Sequence, residues 1–473
     1  MNKTIQRFTV GGAALALAAG LAAWGLQATA QSADASALTA AMPAGTDAQF
    51  IKRGEYLARA GDCVACHSAP GGKPFAGGLP MNSPFGTIYS TNITPDPTHG
   101  IGRDSFEDFD KAVRHGIRRD GKPLYPAMPY PSFAKITTDD MRALYAYFMH
   151  GVAPVAEPDK RDHLMWPANL RVAIHAWNWL FTEAGEYQPD PAQDAQWNRG
   201  AYLVQGLGHC GACHTPRGIA EQEKALSNKD GAHYLGGASL DNWYAPTLAG
   251  NLPTGLKDWA PEQIAQYLKT GRTEKTAVFG AMADVVQNST QYMTDADLHA
   301  IGVYLKSLTG KADTTDHAAV AMAATAKPDA NAVDPATAAL RAGNLQAVGA
   351  RLYVDNCAAC HRSDGKGASK TFPALAGNPV VIGNDPTSLI HIVLKGGAMP
   401  STEHAPTALA MPDFAWRLTD QQVADVLTFI RGSWGNQAPA VSAQAVERLR
   451  KSTDADPAGK PIVSAQSAST AAH

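Results

Sequence analysis

The chain is poor in cysteine, with 6 in 473 residues, and it lacks any surplus of one charge, since 40 Lys and Arg stand against 43 Asp and Glu. A net charge of −3 excludes the basic surface that a nucleic-acid binder needs, and no collagen-like or low-complexity period organises the chain. After the first 30 residues there is no apolar run long enough to span a bilayer. What is present is a 45% share of hydrophobic residues, enough for real cores. At ~100–200 residues per domain, the length predicts several globular domains rather than one. The 43 Gly and 31 Pro predict long ordered loops between rather few helices.

At the N-terminus, Lys3 and Arg7 precede an uncharged stretch rich in Ala, Leu and Gly, followed by Ala28-Thr29-Ala30. This order predicts a secretory signal over residues 1–30 with cleavage before Gln31, the alternative being an uncleaved anchor helix. The expected mature protein is exported and is either soluble or held peripherally.

All six cysteines fall in Cys63-Val64-Ala65-Cys66-His67, Cys210-Gly211-Ala212-Cys213-His214 and Cys357-Ala358-Ala359-Cys360-His361. Each is the attachment signature of c-type haem. Two thiols on one turn of chain add to the two vinyl groups of a porphyrin, and the adjacent His offers its imidazole to the iron. A disulfide or a zinc site is the rival reading of a Cys pair, but zinc needs such pairs in even number. Three pairs, each followed at once by His, predict three covalently bound haem c groups.

The first cysteines recur at intervals of 147 residues, and the flanks recur with them. Arg53-Gly54-Glu55-Tyr56-Leu57, Arg199-Gly200-Ala201-Tyr202-Leu203 and Gly349-Ala350-Arg351-Leu352-Tyr353 each lead into a motif as a short amphipathic helix. Downstream, Thr137, Thr294 and Thr419 each open an acidic first turn and an apolar-periodic closing helix. The expected fold is all-α, with three tandem class I-like cytochrome c domains and long loops. The predicted boundaries are 46–155, a Trp-rich connecting segment over 156–192, 193–310, a flexible linker over 311–343, 344–437, and a C-terminal tail over 438–473.

An iron held by His67, His214 or His361 keeps an open face, which Met fills in an electron carrier. Candidates are Met128 in a Pro-flanked loop, Met282 in Phe279-Gly280-Ala281-Met282-Ala283, and either Met399 or Met411 in the third copy. Met128 stands eight residues before Ile136 and Met411 seven before Leu418, whereas Met399 is nineteen away, so spacing selects Met411. The remaining histidines, His209 and His391 among them, recur at no common position and are expected at the surface or in supporting roles. A ligating imidazole usually donates its other N–H to a carbonyl. Pro373 and the segment Ala245-Pro246-Thr247-Leu248 offer one in the third and second copies, and residues 90–92 show no equally clear counterpart in the first.

Several longer stretches carry a family resemblance: residues 53–67 (RGEYLARAGDCVACH), 86–96 (GTIYSTNITPD), 124–131 (LYPAMPYP), 206–217 (GLGHCGACHTPR), 352–361 (LYVDNCAACH) and 372–380 (FPALAGNPV). Over roughly residues 50–437 the chain resembles the three-haem cytochrome c subunits of membrane-bound bacterial dehydrogenases, of the gluconate 2-dehydrogenase and quinoprotein alcohol dehydrogenase kinds. Residues 147–155 (YFMHGVAPV) and 222–227 (QEKALS) look closest to the gluconate members. The resemblance implies an electron-transfer subunit with no substrate pocket of its own. It would be partnered by a large FAD- or PQQ-type dehydrogenase subunit and a small third subunit, passing electrons to ubiquinone at the periplasmic face of the cytoplasmic membrane. It carries haem attachment to Cys63, Cys66, Cys210, Cys213, Cys357 and Cys360, and iron ligation to His67, Met128, His214, Met282, His361 and Met411. The competing class is a haem enzyme of peroxidase or reductase type with one open iron. Trp166, Trp177 and Trp179 in the first connecting segment are read either as a membrane or partner contact or as a packed connecting helix.

Overall fold

Each cysteine motif follows an opening helix and is closed by a later one. In the computed structural model, which describes residues 47–310 and 333–454, the opening helices are Asp47–Ala60, Ala195–Gln205 and Ala350–Asn356. The closing helices are Thr138–Ala146, Asp295–Ser307 and Asp420–Arg431. Thr137, Thr294 and Thr419 cap the closing helices, each side chain accepting from the backbone N–H three residues on. That bond satisfies one of the donors a helix start leaves open.

Opening and closing helices cross at a glycine in every copy. A Cβ on Gly54 would come within 2.0 Å of the Ala143 carbonyl oxygen, one on Gly200 within 2.0 Å of Ala300 O, and one on Gly349 within 2.2 Å of Asp425 O. Only a bare backbone allows that approach.

The architecture is mostly helical, and three small antiparallel sheets depart from the all-α expectation. Pro80–Ser83 pairs with Gly86–Tyr89, whose start also pairs with His163–Leu164; Ala238–Leu240 pairs with Trp243–Ala245, and Gly397–Ala398 with Ala410–Met411. Apart from His163–Leu164, which follows the first closing helix, they lie in the loops between motif and closing helix, where buried backbone must find partners without a helix.

The cores do not divide into three. Leu57, Ile136, Met141 and Phe148 of lobe one pack into one continuous cluster with Leu203, Leu207, Leu298 and Tyr304 of lobe two. Lobe three has a separate cluster around Tyr353, Leu394, Val423, Leu427 and Trp434. The first two lobes also exchange polar contacts reciprocally. Tyr56 of lobe one donates to Asp297 of lobe two, which Arg199 grips through two bonds of 2.8 and 2.7 Å. Tyr202 of lobe two donates to Asp140 of lobe one, which pairs with Arg53. Burial opposes ionisation of Asp297, but the bonds from Arg199 and Tyr56 outweigh it and hold the carboxyl below its ordinary value.

The segments between and after the lobes take the following forms. The first connecting segment wraps lobe one, with Asp159 and Asp162 accepting from the backbone N–H groups of Asn92 and Tyr89. The linker expected to be flexible over 311–343 contains a helix at Pro335–Arg341, capped by Asp334 and burying Leu340 in the core of lobe three; 311–332 lies outside the described residues. The expected tail contains a helix, Ala443–Asp454, which buries Val446 and Leu449 and ties Arg450 to Asp420 and to the carbonyls of Ala415 and Leu418. Its few apolar positions, among charged ones, hid it from periodicity. The signal read over residues 1–30 lies outside the described residues, among which no helix is long and apolar enough to cross a membrane.

Candidate functional site

The three motif histidines share one local geometry. His67 Nδ1 lies 2.7 Å from the Thr91 carbonyl oxygen, His214 Nδ1 2.7 Å from Pro246 O, and His361 Nδ1 3.0 Å from Pro373 O. A carbonyl only accepts, so Nδ1 carries the proton and Nε2 keeps its lone pair for a ligand. Burial depresses the pKa of all three imidazoles, favouring the neutral, ligating form. Pro246 and Pro373 lie where the sequence pointed, and Thr91 supplies the acceptor that sequence left open.

A glycine completes each arrangement. Gly77, Gly237 and Gly367 donate their backbone N–H to the carbonyl oxygens of His67, His214 and His361. All three have positive φ, of 72°, 93° and 60°. A Cβ on Gly77 would lie 2.4 Å from Thr91 C, and one on Gly367 would lie 2.7 Å from Pro373 O. These glycines therefore let the acceptor strand close on the imidazole. Sequence reasoning missed them because they stand ten, twenty-three and six residues after their histidines, with no common spacing.

Six of the twelve candidate side chains line one cavity of about 2160 Å³: Cys63, Cys66, His67, Met128, Cys213 and Met411. Cys210, His214, Met282, Cys357, Cys360 and His361 do not form part of that wall. Met128 packs on the core shared by lobes one and two, and Met411 on that of lobe three. Met411 sits in the strand paired with Gly397, whereas Met399 is buried off the cavity wall. Met282 lies in the first turn of the helix Ala281–Asn288, beside Val278, Ala283, Val286 and Tyr267, rather than in a loop.

The donor set and the lining suit a c-type haem. No disulfide engages the cysteines, and burial pushes the thiols of Cys63, Cys210 and Cys357 up to about 12. Among the described residues no three His, Cys, Asp or Glu side chains gather as a metal ion would require. The cavity has apolar walls from Leu79, Ile88, Phe133 and Phe148, which suit a flat apolar macrocycle, and a polar lining that mixes Arg118 and Lys160 with Asp104, Asp120 and Asp159.

The first two motifs also face each other. Cys66 lies close enough to Cys213 to raise its pKa electrostatically, although burial is the larger cause. His209, just before the second motif, bonds to the backbone of Gly61, just before the first. Beside the second motif, the Glu223 carboxyl fills the space where a side chain on Gly211 would point, 2.3 Å from the would-be Cβ, and burial pushes it up to about 7.

Comparison with known proteins agrees with this geometry. Residues 346–434 match the Cytochrome c family. The chain is 54% identical over 413 residues to the gluconate 2-dehydrogenase cytochrome c subunit of Pantoea cypripedii, covering 85% of this chain and 90% of that one. It is 52% identical over 409 residues to the alcohol dehydrogenase (quinone) cytochrome c subunit of Gluconacetobacter polyoxogenes, covering 85% of each. It is 39% identical over 420 residues to the fructose dehydrogenase cytochrome subunit of Gluconobacter japonicus, covering 86% and 84%.

Proposed function

The chain belongs to the family of cytochrome c subunits of bacterial dehydrogenases, and from that premise we propose that it carries three haem c groups and relays electrons from a dehydrogenase subunit to ubiquinone. Cys63 and Cys66, Cys210 and Cys213, and Cys357 and Cys360 would attach the haems, and His67, His214 and His361 with Met128, Met282 and Met411 would ligate the irons. The observation that carries this reading is the thrice-repeated imidazole, with Nδ1 fixed by a carbonyl and Nε2 left free. When bound, the haems supply one-electron chemistry. The protein's work is to hold them in place, shield them from water and set their potentials.

The donor under this reading is a gluconate-type dehydrogenase subunit of FAD or PQQ kind, or one acting on a related alcohol, accompanied by a small third subunit. The complex works at the periplasmic face of the cytoplasmic membrane after export. Trp166 and Trp179 are 75% and 83% exposed on the first connecting segment and offer an apolar surface for its contacts.

Stepwise reduction of the purified protein with and without carbon monoxide, with a haem-to-chain ratio, tests the proposal. Three low-spin haems that ignore carbon monoxide are expected; one that binds it reveals an open iron and favours a haem enzyme. Met411→Ala should open the third haem to carbon monoxide without detaching it, and Met399→Ala should not. The purified chain alone should not oxidise gluconate or ethanol with dye acceptors, and appreciable turnover would overturn the carrier reading.

A further inference from the structure

Between lobes two and three stands a parallel ring stack, whereas the ring pair between lobes one and two, Phe133 and His209, meets edge to face. The indole of Trp243 and the imidazole of His391 stack with centroids 3.7 Å apart and planes 12° from parallel. Both rings are fixed from outside the stack. Trp243 opens the second strand of a hairpin whose two loop residues, Asp241 and Asn242, have φ of 48° and 62°, the left-handed pair of a tight turn matched to strand twist. His391 Nδ1 donates to the Asn242 carbonyl at 2.8 Å, so the residue before the indole also orients the imidazole.

The stack joins the two elements that carry the distal methionines. On one side, Gly280 has φ 62°, and a Cβ there would lie 3.0 Å from three atoms of the Trp243 ring, so the backbone just before Met282 rests against the indole. On the other side, His391 belongs to the helix Thr387–Lys395, which ends at Gly396. A Cβ on Gly396 would strike the Met411 carbonyl oxygen at 2.6 Å, and Gly397 pairs directly with Met411. Ala281, Trp243, His391, Gly397 and Met411 all line the same cavity. Ring contacts from the Met282 turn to His391 and backbone contacts from there to the Met411 strand therefore run along one side of that cavity.

We infer that the Trp243–His391 stack is the medium through which an electron crosses between the haem of lobe two and the haem of lobe three. This rests on the three-haem reading above. In the step, one iron goes from ferrous to ferric and the other from ferric to ferrous; neither ring is oxidised, no bond changes and no proton moves. Electronic coupling falls steeply across any gap that atoms do not fill, and the flat contact leaves none between the two rings. The two rings are positioning residues, since they touch neither iron.

The test is flash reduction of the oxidised holoprotein by a photogenerated one-electron donor, followed by redistribution among the haems. The relevant phase is identified by its absence from a Cys357→Ser, Cys360→Ser chain lacking the third haem. Trp243→Leu should slow that phase by an order of magnitude or more, leaving haem content, carbon monoxide insensitivity and midpoint potentials unchanged. Trp243→Phe should restore most of the rate. Ser388→Ala removes the bonds that Ser388 makes with Tyr244 at the same interface and should leave the rate unchanged. A native rate in Trp243→Leu overturns the inference. Equal slowing in Trp243→Leu, Trp243→Phe and Ser388→Ala also overturns it, showing the stack to be only an adhesive contact. A haem-to-chain ratio below three in the unmodified protein overturns the three-haem reading itself, and the inference with it.

Discussion

Lobes one and two share a core and matched Tyr, Asp and Arg sets, whereas lobe three keeps its own core and meets lobe two through hydrogen bonds and one ring stack. The difference is written in three positions. The residue before the crossing glycine is Arg53 or Arg199 in the first two lobes and Val348 in the third, where it is 70% exposed. Two residues after that glycine stand Tyr56, Tyr202 and then Arg351, and the third residue of the closing helix is Asp140, Asp297 and then Gln422. In place of the reciprocal sets, lobe three is held to lobe two by Arg272, whose guanidinium donates to the carbonyls of Lys370, Ala405 and Thr407, and by Asn378 bonded to Thr276. Repeats of one pattern can therefore fuse or stay separate according to a handful of side chains on one helix face.

The largest effects should come from the cores. Leu203→Ala and Leu394→Ala each empty a fully buried site and should cost about 2–5 kcal/mol. In denaturant unfolding of the holoprotein, the first should lower the joint transition of lobes one and two, and the second only that of lobe three. A common shift from either substitution would show that the cores are coupled after all.

Removing one member of a reciprocal set should come next. Asp297→Ala strands Arg199 and Tyr56 and should cost about 2–3 kcal/mol, as lost hydrogen bonds to a charged group do. Gln422→Ala at the matching place should cost only the partial loss of a capping box, about 0.5–1 kcal/mol. The same measurement compares them.

Acidity should sharpen the contrast with two opposite signs. Asp297 has its pKa lowered on folding, so its stabilisation is complete above the ordinary carboxylate value and is lost as pH falls through the lowered one. Asp297→Asn should abolish that part of the acid sensitivity of the fused pair. Glu223 is pushed up to about 7, so the unfolded chain gives up this proton first, and stability declines as pH rises from the ordinary carboxylate range through that value. Glu223→Gln should flatten that decline. Melting temperature against pH for the two variants reads both. The smallest effect belongs to installing the missing pair: Val348→Arg with Gln422→Asp creates an exposed ion pair worth about 0.5 kcal/mol at most, and it should fade with added salt.

Much of the chemistry was legible in the sequence because it is local. The Cys-x-x-Cys-His spacing and the Thr caps lie within short stretches of chain, and the carbonyls of Pro246 and Pro373, 32 and 12 residues from their histidines, stand in Pro-containing segments that sequence can single out. The glycines that press the acceptor strands onto the imidazoles were not legible, because loops of different length bring them there. Nor was the shared core, since the apolar faces that place Leu57 and Leu203 in one cluster look in sequence like the face any helix turns to its own domain. The local setting of Met282 was not legible either, because nothing in the sequence marks Gly280 as the N-cap of a helix.

The C-terminal helix gives assembly an order. Ser452 reaches back to hydrogen-bond Asn242, and Asp454 pairs with Lys395, so the contacts framing the junction of lobes two and three draw on the last described turn of the chain. The common core of the first two lobes draws on no residue of that turn, so the fused pair can close without it, whereas the full set of contacts around the junction to lobe three cannot.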